Sequence, residues 1–532
     1  MGTQEIIEEI KKLINTKGYI YALCMIIFED FHVNPEKLHE INHREKLSVN
    51  EAALLLGFLI QNKLDFTMPE SLQDLTQMKK MTYELLEKLH QSFMKNFVEK
   101  LEKEIKKTHK KENYRADQKE FFGKGDMLVE PIFYSGTGVY DFQHLEFLER
   151  KYKYDKKWLT EEKNFDLIET QKIVSQIKKI LQKKSEIVEM GLKEEMIAFM
   201  KEKNPDEDWE KKIEEVFTKE RIEWLQYGPL FYDFEKNGEF DQNLFFRNLI
   251  DLFTIKKSDF NTDVNIDSFL HNFSITPERD LNTQFKTIGD YNIMNSHPII
   301  KIDSERYFVP TTFMLCQAVY ESPFYWMIKD ESYKDQVAKN RGIVGEEIAY
   351  DFLSRVFGIN RTFKSIKIET KKGHDDTDID VFCVLGSKAL CVQVKSKSLT
   401  LLSRQGDDVK LQKDFQSAVQ DAYNQGLISR QKIFEREARL IDKKTGNDII
   451  LSEEIDEIYL MCITTENYPT LAHQARVMLD KKDDEPFSIV LTVFDLELLA
   501  HYLNDPYEFL YYIRQRTSLM DLDCTPKTVI IC

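Results

Sequence analysis

The chain has 532 residues, 42% of them apolar, and a formal net charge of −17. That is length for about three globular domains. The longest apolar runs, Tyr19 to Phe28 and Ala52 to Ile60, fall well short of a bilayer span, so a membrane role is excluded. The seven cysteines are scattered without a Cys-x-x-Cys pair, which excludes a disulfide scaffold or a zinc ribbon and reads as reduced thiols of a cytoplasmic protein. The start, MGTQEIIEEIKKL, is an acidic amphipathic helix without the basic-then-apolar layout of a signal peptide.

Residues 1–295 read as a helical region, with apolar periods at Ala52 to Gln61, Met81 to Leu101 and Ile168 to Leu181, and a break near 120. Lys95 to Arg115 mixes Lys with Glu and reads as a solvated face. The glycines of YSGTGVYDF (134–142) lack the preceding strand and the Gly-Lys-Ser/Thr of a phosphate loop. The aromatics crowding 120–155 and 224–253 read as core between helices. Residues 296–340 connect: IIKIDSERYFVP predicts a hairpin, and a helix follows over 311–338.

From 341 the texture changes. Arg341 to Phe357 predicts a helix with Val344, Ile348, Phe352 and Val356 on one stripe and Gly358 as its stop. Phe363 to Glu369 alternates as a strand, and TKKGHDD (370–376) reads as a polar turn. The next run alternates Ile379, Val381 and Cys383 against Asp380, Phe382 and Val384. Gly386-Ser387 makes a tight turn, and Ala389 to Val394 is a further strand. Leu411 to Tyr423 repeats at helical spacing, and EIYLMCIT (457–464) and Ser488 to Phe494 read as buried strands. Asp495 reads as the cap of a helix through Leu503, and Pro506 opens another through Arg516. These divide the chain into 1–295, 296–340, 341–495 and a helical extension, 496–532, with Tyr511, Tyr512 and Leu519 as candidate oligomer contacts.

The hairpin carries the chemistry. Asp380 lies on one strand, and Gln393 and Lys395 follow on the next, thirteen and fifteen residues later. Phosphodiester hydrolysis needs a hard cation on oxygen ligands, an activated water beside it and a positive group for the developing charge. Asp380, the Gln393 amide oxygen and the Val394 backbone carbonyl supply ligands, and Lys395 supplies the cation. The competing reading is that polar residues alternate along any half-exposed strand.

The order helix, three strands, helix, strand, with TDIDV...CVQVKSK, resembles the restriction-endonuclease-like PD-(D/E)xK superfamily, in the Mrr-like and nuclease-related subgroup where Gln replaces the acidic residue. The resemblance covers about residues 341–465. It implies an α+β multidomain protein: a large all-α N-terminal region, an α-β-β-β-α-β nuclease domain and a helical extension. It implies Mg²⁺ or Mn²⁺ held by Asp380, Gln393 and a Glu of the first helix, with Lys395 catalytic. Glu346 shares the phase of the apolar stripe and Glu347 does not. Asp378 competes for the ligand role, because Thr377-Asp378-Ile379 stands where the family pattern has Pro before the Asp. The neutral Gln393 leaves less negative charge on a metal.

The implied substrate is DNA and the implied setting is bacterial defence against phage or foreign DNA. Residues 341–450 hold 19 Lys and Arg against 16 Asp and Glu, while the rest of the chain holds 55 against 75. Positive charge is thus concentrated beside the motif, with Lys371, Lys372, Lys397 and Arg404 as candidate nucleic-acid contacts and Lys364 and Lys367 nearby. The helical region would sense or recruit the target, alone, through a protein activator, or in a homo-oligomer. Two other functions fit the same residues: a catalytically inactive scaffold, and an RNA nuclease or structure-selective repair nuclease.

Overall fold

A computed structural model describes residues 2–31, 46–108, 124–134, 139–189, 227–231, 242–371, 374–436, 438–466 and 478–520, with isolated positions between 198 and 211 and at 475. The chain divides into two compact units. One comprises Met1–Asn96, Lys156–Thr287 and Tyr291–Pro323; the other comprises Phe97–Asp155, Ile288–Asp290 and Phe324–Cys532. Residues 97–155, in the predicted helical region, therefore group with the C-terminal part of the chain. Lys372 and residues 135–138 of the glycine-containing string lie outside the described residues, as do Cys524 and Cys532.

The first unit is mainly helical. Thr3–Ile14 turns Ile6, Ile7, Ile10, Leu13 and Ile14 inward, a stripe of 3.6-residue period. Tyr19–Phe31 and Val49–Leu59 are apolar on nearly every side and correspondingly buried; Ser48 and Glu51 form a capping box at the start of the latter. No helix among the described residues is long and apolar enough to cross a membrane. The expectation of an all-α stretch through 295 is corrected at two places. Strand β1 (Thr254–Lys256) and strand β2 (Ser274–Ile275) join the predicted hairpin, β3 (Ile299–Lys301) and β4 (Arg306–Phe308), in a sheet of order β1-β4-β3-β2. Runs of two and three residues are too short to show a period of two.

The second unit is built on a mixed six-stranded sheet of order β10-β9-β7-β6-β5-β8. Its strands are β5 (Thr362–Lys371), β6 (His374–Leu385), β7 (Lys388–Lys395), β8 (Arg439–Asp442), β9 (Glu457–Thr464) and β10 (Ser488–Thr492). Strands β5, β6 and β7 form an antiparallel meander, and β7, β9 and β10 run parallel. Six helices matter to the site: α1 (Asp141–Lys151), α2 (Lys334–Phe357), α3 (Asp408–Phe415), α4 (Asp421–Phe434), α5 (Val493–Tyr502) and α6 (Pro506–Met520). Strand pleat separates their faces. Phe382 and Cys391 pack with Leu411, Phe415, Val419 and Ala422 of the α3–α4 segment, whereas Val394 meets α2 at Gly345.

Several predicted boundaries move for physical reasons. Helix α2 begins at Lys334 rather than Arg341, but ends where expected, at Gly358 with φ +87°, a conformation glycine adopts without a Cβ clash. The predicted turn 370–376 shrinks, because β5 runs to Lys371 and β6 starts at His374. The single helix expected over 411–423 contains a π turn, Gln416–Gln420, between α3 and α4. The cap of α5 is Thr492, whose hydroxyl accepts from the Asp495 amide, so Asp495 is the third helical residue of a capping box. Strand β8 was not expected; it pairs antiparallel with the outer side of β5. Cys24, Cys316, Cys383, Cys391 and Cys462 are buried free thiols, and burial pushes Cys391 and Cys462 up to about 12, which keeps them protonated and unreactive.

Helix α2 approaches the sheet closely at Gly345, where an added Cβ would collide with the Thr465 methyl and sit 3.0 Å from Val394 Cγ1. Gly345→Val should therefore destabilise the protein by about 1–3 kcal/mol. Urea unfolding checks this; an unchanged midpoint would mean that the contact is loose.

Candidate active site

Strands β6 and β7 pair in register from Leu385–Lys388 to Val381–Val392. Beyond that point the side chain of Asp380 replaces the ladder: its Oδ2 accepts from the Val394 amide at 2.7 Å. Gln393 is buried, and its Nε2 donates to the Asp378 carbonyl at 2.7 Å. That bond fixes the amide orientation and leaves Oε1 as its acceptor. Lys395 donates through Nζ to Gln425 Oε1 of α4 at 2.7 Å.

Glu346 comes from α2. It is half-buried, and its Oε2 accepts from Ser365 Oγ of β5 at 3.0 Å. Glu346, Lys395 and Asp378 all act electrostatically on Asp380. Burial is the main influence on this carboxyl. The Val394 amide opposes it, the neighbouring Glu346 carboxylate adds to it, Lys395 opposes it and Asp378 adds to it, leaving Asp380 at about 6 against an ordinary 3.8.

The remaining predicted residues lie elsewhere or serve other partners. Glu347 forms an ion pair with Lys153, accepts from Tyr154 Oη at 2.8 Å and lies 3.9 Å from Lys364. Asp378 pairs with Lys443 at 2.6 Å, so its carboxylate is engaged on the β8 side. Lys397 lies 3.0 Å from the buried Asp414, which also accepts from the Thr400 amide at 2.7 Å and Ser403 Oγ at 2.6 Å. Lys397 thus braces the short helix Leu401–Arg404, and Arg404 ends that helix half-buried. Lys367 pairs with Glu369 at 3.2 Å. Lys371 is the last residue of β5.

Two site residues escaped the sequence reading. Gln425 continues the stripe of Ala418 and Ala422 by one further step, and a polar side chain on an apolar stripe was the available signal. Ser365 left no signal in the pattern. Its φ is +52°, in the left-handed region that a non-glycine residue rarely enters within a strand.

As to what could hold a metal, two carboxylates, one amide oxygen and the Val394 carbonyl are at hand. Among the described residues no group of three His, Cys, Asp or Glu could hold a metal ion. The oxygen donors suit a hard cation rather than zinc, and Asp380, raised by burial and by Glu346, is the kind of carboxyl that a bound cation would draw down.

Comparisons with protein-family models, curated proteins and solved structures return no match for this chain.

Because native Asp380 is raised, the native state holds its proton more tightly than the unfolded chain. Its ionisation penalty is absent below about pH 4 and complete above about pH 6. Asp380→Asn keeps the acceptor for Val394 and removes the charge. Without metal it should stabilise the protein by about 1–2 kcal/mol at pH 7.5, allowing for partial solvent screening, and by much less at pH 4.5. Urea melts in EDTA at the two pH values measure the difference; equal effects would contradict the assignment.

Proposed function

We propose that the second unit is a divalent-metal-dependent phosphodiesterase, restriction-endonuclease-like in arrangement, that cleaves DNA. The observation that carries this is the convergence on Asp380 of Glu346 from α2 and Lys395 from β7, with Gln393 buried between them in sequence and held by the Asp378 carbonyl. Paired carboxylates beside one ammonium, at the point where two strands stop pairing, match what phosphoryl chemistry asks of a protein. The resemblance of TDIDV...CVQVKSK to the PD-(D/E)xK pattern supports the same reading.

In this proposal Asp380, Glu346, the Gln393 amide oxygen and the Val394 carbonyl hold Mg²⁺ or Mn²⁺. The cation would supply Lewis-acid stabilisation of the phosphate and lower the pKa of an attacking water. Lys395 orients that water and faces the negative charge that develops on the phosphate. Gln425 holds the ammonium through a neutral acceptor, which limits its swing without cancelling its charge. Asp380, by accepting from Val394, fixes the separation of the two strand ends. The first unit then serves recognition or recruitment, in the setting of genome defence against foreign DNA.

A second reading, an inactive nuclease-like scaffold, draws on one observation: a neutral Gln stands where a third carboxylate would complete the ligand set. Cleavage assays separate the two. Purified protein should cut plasmid DNA with Mg²⁺ or Mn²⁺ and not in EDTA. Asp380→Asn and Lys395→Ala should each lower the rate by roughly two or more orders of magnitude, whereas Glu347→Gln should retain most of it. Cleavage of RNA alone would move the substrate assignment, and no metal-dependent cleavage of any nucleic acid would favour the scaffold.

Charge yields a further expectation. The chain is acidic overall and its positive excess is local, so cleavage should fall steeply between about 50 and 200 mM salt. A rate unchanged over that range would argue against phosphate contacts beside the motif.

A further inference from the structure

Strand β5 pairs with β6 at Lys364–Val381 and again at Ile366–Ile379 with the same register. Ser365 therefore lies opposite Asp380, at a rung missing from the pairing. It is the position where β5 takes a left-handed φ of +52°.

The apolar pattern changes phase at the same place. On β5, Phe363, Ile366 and Ile368 pack with one core cluster, and on β6 so do Ile379, Phe382 and Val384. Both strands thus step by three residues once and by two thereafter, where regular strands step by two throughout. The alternation expected for β6, with Ile379 grouped against Phe382 and Val384, is corrected by this slip. A left-handed residue is the local device that permits it. Two bonds then hold Ser365: its carbonyl accepts from the Lys443 amide at 3.0 Å, and its hydroxyl donates to Glu346 Oε2 at 3.0 Å.

We propose that Ser365 is a positioning residue of the metal site: its strained backbone conformation opposite Asp380 turns its hydroxyl onto Glu346 and so sets where the two carboxylates meet. This rests on the metal-site reading above. Strained non-glycine residues persist where the surrounding structure over-determines them, and they cluster at functional sites. A residue needed only for the fold would be better served by glycine, which adopts φ above zero at little cost. Serine instead keeps the one group that reaches Glu346.

The test uses full-length Ser365→Gly, Ser365→Ala and Ser365→Asn. Ser365→Gly relieves the strain and removes the donor. In EDTA it should melt a few degrees above wild type, yet bind Mn²⁺ roughly tenfold more weakly by calorimetry, the usual cost of losing an outer-shell partner. Ser365→Ala should lose both stability and affinity. Ser365→Asn tolerates the left-handed region and carries a donor, so it should restore part of the affinity. A Ser365→Gly protein that melts lower than wild type, or binds Mn²⁺ as wild type does, would overturn the proposal. If wild type binds Mn²⁺ and the variants weaken it while no nucleic acid is cleaved, the positioning role stands and the nuclease reading fails. If wild type binds no Mn²⁺, both fall.

Discussion

The second unit is organised around one costly arrangement: Asp380, a partly desolvated carboxyl, feels the negative charge of Glu346 and the positive charge of Lys395, and Glu346 is held by Ser365 of β5. Like charges at short range disfavour joint ionisation, and burial strengthens the effect. A fold holds such groups together only if other contacts hold their backbones. Helix α2 is held by its close approach at Gly345 and by Arg341, whose Nε donates to Glu466 at 2.6 Å while Lys151 lies 3.6 Å from the same carboxylate. Strand β7 is held by its parallel pairing with β9 along its whole length, and Lys395 by Gln425. The network resists relaxation of the pair.

Proximity of the motifs in sequence does not by itself create the site. The β6–β7 turn brings Asp380 near Gln393 and Lys395, and that much follows from alternation and a Gly-Ser turn. Glu346 is far away in the chain, and its approach depends on α2 packing against the sheet at Val394 and on its bond to Ser365. The neighbouring Glu347, one residue on, is turned by 100° of helix and spends its charge on Lys153 and Lys364. Adjacent residues of like chemistry thus have different roles because of helical phase alone.

The same contrast shows what was legible in the sequence. Strand β9 matches Glu457–Thr464 because seven successive apolar and β-branched residues after Glu457 leave no competing period. The stop of α2 at Gly358 and the hairpin Ile299 to Phe308 were legible from single strong signals, a glycine after an apolar stripe and a polar turn between short apolar runs. Strand β8 was not, since RLID is four residues with charged ends and its stability comes from pairing with β5. Neither the π turn that precedes Gln425 nor the left-handed Ser365 has a compositional signature. Both are backbone conformations imposed by tertiary packing, which overrides local preference. The assignment of Asp380, Gln393 and Lys395 as a set came from the motif; the partners that aim them came only from the structure.

The central claim is that Asp380 and Glu346 form one cation site. The most direct measurement is a Mn²⁺ titration followed by the electron paramagnetic resonance signal of free Mn²⁺, for wild type, Asp380→Asn, Glu346→Gln and Glu347→Gln. Wild type and Glu347→Gln should take up Mn²⁺ alike, and the other two variants should lose that uptake. Uptake by Asp380→Asn and Glu346→Gln equal to wild type would contradict the claim.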